Sequence, residues 1–202
     1  MHWLFAESQG RRLLIPKLDL SPTSYSVFSV RDPVVRSGDG PPGDIDVLVI
    51  DPDAPQHATA IECKRLKVRA GTFETLLPGK LQGLRKGVHQ ANGLLAMGFH
   101  RTFLAILVVT DGRERDAFNF AFRGLTPELV RAVDTFPDRE RLEDAVGLVF
   151  IEITQPIDKD IALASDIGVR VLRHPMGQQQ PADLDDRLRE LVRWGGPIGV
   201  RH

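Results

Sequence analysis

Gly43-Asp44-Ile45-Asp46-Val47-Leu48-Val49-Ile50, a break at Asp51-Pro52-Asp53-Ala54-Pro55, and Ala58-Thr59-Ala60-Ile61-Glu62-Cys63-Lys64 make up the stretch that decides the fold. Two short apolar runs around a Pro/Asp-rich turn signal predict an antiparallel hairpin. A hairpin centred near Ala54 sets Asp46 roughly opposite Glu62. Strand side chains alternate, so Glu62 and Lys64 leave one face while Ile61 and Cys63 leave the other. Two carboxylates and an ammonium then converge at one strand end, beside residues suited to a core. Carboxylates that close repel, and one pKa rises unless a cation sits between them. Their oxygens suit hard Mg²⁺, which keeps several waters and takes phosphate oxygens as well. A neighbouring lysine can orient the attacking water or offset charge growing on a phosphate. The same spacing also fits a solvated hairpin with an ordinary Glu-Lys surface pair, so spacing alone leaves both readings open.

Working outward, the flanking segments predict a mixed sheet covered by helices. From Lys80 to Met97 the positions Leu81, Leu84, Val88, Ala91, Leu94 and Leu95 recur at helical spacing. Arg85, Lys86, His89 and Gln90 fall largely off that stripe, and Lys86 and Gln90, four apart, share a face. Gly83, Gly87 and Gly93 on this helix read as points of close approach to the sheet. Arg101–Asp111 is a continuous apolar run, the pattern of a strand buried on both faces. Val149–Thr154 and Gly168–Arg173 read as further strands, and Pro127–Phe136 and Arg139–Val146 as helices between them. Ser24–Val30 alternates like an outer strand ahead of the hairpin. Ala182–Trp194 is an amphipathic helix, with Gln178-Gln179-Gln180-Pro181 before it as a short linker and 195–202 as a loose tail. Trp3–Gln9 is the one N-terminal stretch able to form a helix before Gly10 interrupts it. The expectation is an α/β fold in a single domain over 1–202, with its core at about 24–111.

The Asp46…Glu62-x-Lys64 pattern on an apolar hairpin resembles the active site of the PD-(D/E)XK nuclease superfamily, which has the restriction-endonuclease-like fold: a mixed central β-sheet flanked by α-helices. The Gly43-Asp44-Ile45-Asp46 lead-in is similar to members whose metal-binding acid follows a Gly-acid-apolar sequence, which favours Asp46 over Asp44. No proline precedes Asp46, a departure common in this superfamily. The resemblance implies that Asp46, Glu62 and the backbone carbonyl of Cys63 hold Mg²⁺ or Mn²⁺, and that Lys64 is the catalytic lysine. Many members carry a Lys/Gln pair on the next helix, which adds Gln90 and, secondarily, Lys86. A glutamate from an N-terminal helix is often an additional metal ligand, and Glu7 is the matching position here. The implied activity is metal-dependent phosphodiester hydrolysis in DNA. The alternatives are a catalytically inactive nucleic-acid- or protein-binding module on the same fold, or another metal-dependent hydrolase such as a phosphatase.

Global properties exclude several rivals. A chain of 202 residues with 42% hydrophobic content is sized for one domain with a substantial core. No apolar run reaches the roughly 18 residues of a membrane span, and the first residues lack a signal-peptide pattern. The single cysteine, Cys63, allows no intramolecular disulfide and suits a reducing cytoplasm; its side chain, facing away from Glu62 and Lys64, reads as a core thiol. The 27 acids balance 26 Lys and Arg, so positive surface for nucleic acid must be local. Lys64, Arg65, Lys67, Arg69, Lys80, Arg85 and Lys86 form the candidate patch, with Lys67 and Arg69 read as continuing the basic line of Lys64. Arg113 and Arg115 alternate with acids and read as solvated. Gly38-Asp39-Gly40-Pro41-Pro42-Gly43 matches G-x-G-x-x-G formally, but its prolines and the strand after it deny the strand-loop-helix context of a dinucleotide site. The six histidines show no ligand spacing, so no zinc site is expected. Cutting both strands of a duplex takes two sites, which makes a homodimer an expected assembly.

Overall fold

The computed structural model describes residues 2–35, 43–68, 78–111, 127–155 and 166–193. The Gly-rich loop at 38–42, Arg69, Arg113, Arg115 and the tail at 195–202 lie outside the described residues. The chain runs through α1 (His2–Ala6), α2 (Ser8–Leu14), β1 (Tyr25–Val30), β2 (Ile45–Ile50), a 3₁₀ turn (Pro55–His57), β3 (Thr59–Val68), α3 (Pro78–Ala96), β4 (Arg101–Asp111), α4 (Pro127–Arg139), β5 (Gly147–Gln155), β6 (Asp166–Arg173) and α5 (Ala182–Arg193).

The six strands form one mixed sheet in sequence order. β1, β2 and β3 are antiparallel neighbours, β3, β4 and β5 are parallel, and β6 closes the far edge antiparallel to β5. Each parallel step needs a crossover, and α3 and α4 supply them. The pairing Val47↔Ile61, Leu48↔Ala60, Val49↔Thr59 centres the β2–β3 hairpin on Ala54, as its turn signal implies.

Alternation along the strands sorts side chains into two apolar layers. Val47, Val49, Ile61, Phe103, Ala105 and Ile151 pack against Leu4, Phe5 and Leu14 of the N-terminal helices. Leu104, Ile106, Val108 and Phe150 face Leu84, Val88 and Ala91 of α3 and Val133 of α4. On the same side, Leu48, Ile50 and Ala60 meet Leu94, Phe99 and α5 through Leu184 and Leu188. Burying each of these large side chains contributes about 1.5–3 kcal/mol.

Three local expectations change. The helix expected over Arg139–Val146 is absent, because α4 stops in a Schellman closure. Arg141 takes a left-handed φ of 63°, its N–H donates to Asp138 O, and Leu142 N–H donates to Pro137 O. Glycine usually marks such a stop, and none is present to signal it. Second, Gly10 does not end the N-terminal helix; it lies inside α2, and the break falls at Glu7. Its missing Cβ lets α2 cross α1, since an added Cβ would sit 2.6 Å from Leu4 Cα and collide with Trp3 O. Gly10→Ala is therefore expected to cost about 2–3 kcal/mol, read as a lower unfolding midpoint in urea; an unchanged midpoint would remove this account. Third, Gln178-Gln179-Gln180 is a clamp rather than a linker. Gln178 Nε2 donates to Leu95 O and Phe99 O, while Gln180 Nε2 donates to Pro55 O and Asp185 Oδ1.

Candidate active site

Asp46, Glu62 and Lys64 meet on the α3 side of the sheet, where β2 and β3 begin to part. The β2–β3 ladder extends only to Val47↔Ile61. One step further, Asp46 stands opposite Glu62, and its Oδ2 accepts the N–H of Cys63 at 2.8 Å in place of a backbone carbonyl. That bond fixes the Asp46 carboxylate at the edge of the pair. Glu62 is 1% exposed, and its Oε1 accepts from Lys64 Nζ. Glu62 Oε2 is buried with no hydrogen-bond partner.

These surroundings explain the charge state. Burial, opposed by the Lys64 hydrogen bond and reinforced by the nearby Asp46, pushes the Glu62 carboxyl from its ordinary 4.5 to about 7. Two acids and one ammonium leave the cluster with one negative charge in excess when all are ionised. An orphaned carboxylate oxygen beside a second carboxylate, in a place that disfavours further negative charge, fits a hard cation. Among the described residues, no group of three or more His, Cys, Asp or Glu side chains converges as a ready ligand set. Any cation here would thus take two side-chain carboxylates and complete its shell from backbone and water.

The stem of Lys64 lies on α3 at Gly87. A Cβ at Gly87 would stand 2.5 Å from Lys64 Cγ, 3.0 Å from its Cε and 3.2 Å from Leu104 Cδ1. The reading of Gly87 as a point of close approach therefore holds, with Lys64 as the approaching group. Gly83 has nothing within 4 Å of such a Cβ and does not share that role. α3 returns antiparallel to β3, so Gln90, one turn after Gly87, lies toward Glu62 rather than toward Leu66. Gln90 Oε1 is a second buried acceptor with no partner.

The remaining expected residues separate from this centre. Asp44 sits in the bend before β2, and Glu7 is exposed at the α1–α2 break, in the layer on the opposite sheet face; neither joins the two carboxylates. Lys86 is exposed on α3. Arg85 makes a two-pronged ion pair with Glu140, Nε to Oε2 at 2.5 Å and Nη2 to Oε1 at 2.9 Å, and so ties α3 to the end of α4. The β3–β4 ladder is unbroken from Thr59 to Val68. Lys67 stands an odd number of residues from Lys64, so the period of two does not support the expectation that the two share a face; the Lys67 side chain lies outside those described. Arg65, exposed, falls on the Cys63 side. Cys63 packs against the N-terminal layer, and burial pushes its thiol well above the ordinary range. It is a core thiol, as its position between Glu62 and Lys64 implies.

No family model matches the chain, and no curated protein does. Three chains of solved structures match. One, a protein of unknown function from Silicibacter pomeroyi, is 15% identical and overlaps 88% of this chain and 86% of its own, with a TM-score of 0.39. An overlap this loose bears on neither fold nor activity. Among the described residues, no helix is long and apolar enough to cross a membrane.

Proposed function

We propose that the chain is a metal-dependent nuclease of PD-(D/E)XK type, with a restriction-endonuclease-like fold, hydrolysing phosphodiester bonds in DNA. The observation that carries this reading is the buried, unpartnered Glu62 Oε2 beside Asp46 and Lys64 on one sheet face. A solvated Glu-Lys pair would neither bury its carboxylate nor leave an oxygen orphaned.

Asp46, Glu62 and the carbonyl of Cys63 would hold Mg²⁺ or Mn²⁺. When bound, the ion polarises a phosphoryl oxygen and lowers the pKa of a water. Lys64 is pinned between the Glu62 carboxylate and Gly87, which aims its ammonium at the same spot and lets it orient the nucleophile and offset charge on the phosphorane. Gln90 presents an amide that orients either the lysine or a phosphate oxygen. The Asp46 bond to Cys63 N–H keeps the β2 end from moving away as charge shifts. Outside that centre, exposed Lys86 remains as a phosphate contact, while Arg65 leaves the opposite face of the sheet and Arg85 is already committed to Glu140.

The test is a cleavage panel over single-stranded, duplex and branched DNA and RNA, with Mg²⁺ or Mn²⁺ at millimolar concentration. Cleavage of DNA is expected, and Lys64→Ala should slow it about 10²–10⁴-fold. Equal rates for wild type and Lys64→Ala, or no cleavage of any substrate, would overturn the assignment. In the second case, DNA binding that survives Lys64→Ala would mark a binding module on the same fold.

A further inference from the structure

We propose that His57 and His100 form a binding site for a transition-metal ion such as Zn²⁺, Co²⁺ or Ni²⁺, separate from the hard-cation site at Asp46 and Glu62. The two imidazoles lie at the other end of β3, where β3 and β4 begin, with ring centroids 4.8 Å apart and planes at 40°. A metal–nitrogen bond of about 2.0–2.1 Å puts a ring centroid roughly 3.2 Å from the ion. Two such rings at angles between 90° and tetrahedral stand roughly 4.5–5.2 Å apart, which brackets the observed spacing.

The chemistry of each ring supports the assignment. His100 Nδ1 is 2.8 Å from Gln178 O. A carbonyl cannot donate, so Nδ1 carries the proton and Nε2 presents a lone pair, the arrangement that orients metal-binding histidines. His100 is held besides by its own N–H to Gln180 Oε1 and by Gln178 N–H to its carbonyl. His57 closes the 3₁₀ turn whose Pro55 carbonyl accepts from Gln180 Nε2, and its ring has no hydrogen-bond partner among the described residues. The glutamine clamp thus fixes the His100 imidazole and the turn that carries His57 before any ion arrives.

Gly177 supplies a second, independent observation. A Cβ there would lie 3.1 Å from His100 Cε1 and 3.4 Å from Nε2, so a side chain would cover the edge that carries the lone pair. The backbone does not demand glycine, since Gly177 is not among the residues with positive φ. Its smallness leaves the Nε2 edge open. The rings border two clefts of about 290 and 410 Å³, lined by Asp19 and Asp51 on one side and Asp185 on the other. The neighbouring cation, Arg101, is already bound to Asp19 through Nη1 at 3.5 Å and Nη2 to its carbonyl at 2.7 Å. The surroundings are therefore net acidic and favour a cation. Water completes the shell, which makes this an open site of two protein ligands.

The test titrates the chelator-treated full chain, with millimolar Mg²⁺ present to occupy the Asp46–Glu62 site, with ZnCl₂ by calorimetry and with CoCl₂ by visible absorption. One equivalent should bind, with Co²⁺ giving ligand-field bands of nitrogen coordination. His57→Ala, at an exposed residue, and Gly177→Val, which removes no ligand, should each weaken binding on the order of tenfold or more. Glu62→Gln should leave it unchanged. Binding that survives both His57→Ala and Gly177→Val, binding that disappears in Glu62→Gln, or no binding at all would overturn the site. None of these outcomes depends on whether the chain cleaves DNA.

Discussion

Glu62→Gln is expected to stabilise the metal-free protein at pH 8 while abolishing metal-dependent cleavage. Because Glu62 is pushed up to about 7, the folded chain holds a proton that the unfolded chain, with its ordinary 4.5, releases. Between those two values the native state binds more protons, so stability falls as pH rises from about 4.5 through about 7 and then levels off. The full gap corresponds to about 3 kcal/mol of stability lost by pH 8. A glutamine carries no charge to desolvate, and its amide can donate to Asp46. Thermal unfolding of the variant should therefore be flat across this window and exceed wild type at pH 8, with the difference shrinking toward pH 4.5. Mg²⁺ should restore wild-type stability at pH 8 and leave the variant unmoved. A wild-type midpoint that does not fall between pH 4.5 and 8 would show that Glu62 is not held in an environment hostile to its charge.

Gly87→Ala should separate fold from chemistry in the opposite way. Alanine gains up to about 1 kcal/mol over glycine inside a helix, and Gly87 lies well within α3. Its new methyl meets the middle of the Lys64 stem, 2.5 Å from Cγ, and a lysine stem yields more readily than backbone. The expected result is a protein that unfolds no earlier than wild type but cleaves about 10²-fold more slowly, the scale of a displacement near 1 Å at a reacting group. Gly83→Ala is the matched control: open space surrounds that position, so the helix gain comes with cleavage unchanged. Gly87→Ala with full activity would mean that the observed seat of Lys64 is not the one used in the reaction.

Both variants rest on features that differ in how far they can be read from the chain. The turn at Asp51–Pro55 and the apolar runs around it fix the β2–β3 register, because hairpin pairing follows from the turn centre and the period of two. The facing of Glu62 and Lys64, and of Cys63 away from them, follows by the same count. That count also gives no support to the basic line through Lys67. The buried run at Arg101–Asp111 and the α3 stripe are equally local. Arg141 illustrates the opposite case. Its left-handed φ belongs to a helix closure supported by Leu142, and no glycine or asparagine marks it. The glutamines at 178 and 180 look like linker composition, and only the carbonyls that happen to pack near them turn them into a clamp.

From the sequence alone come the order of the six strands, the helices α3, α4 and α5 between and after them, the face on which Glu62 and Lys64 stand, and the identity of Asp46, Glu62 and Lys64 as a group. These are consequences of periodicity, which each segment carries within itself. The tertiary structure decides that Glu62 is sealed from water with one oxygen unsatisfied, that Gly87 rather than Gly83 seats Lys64, that Glu7 and Asp44 stay apart, and that His57 and His100 meet. Desolvation and contact depend on what packs over a residue from distant parts of the chain, and no local pattern encodes that.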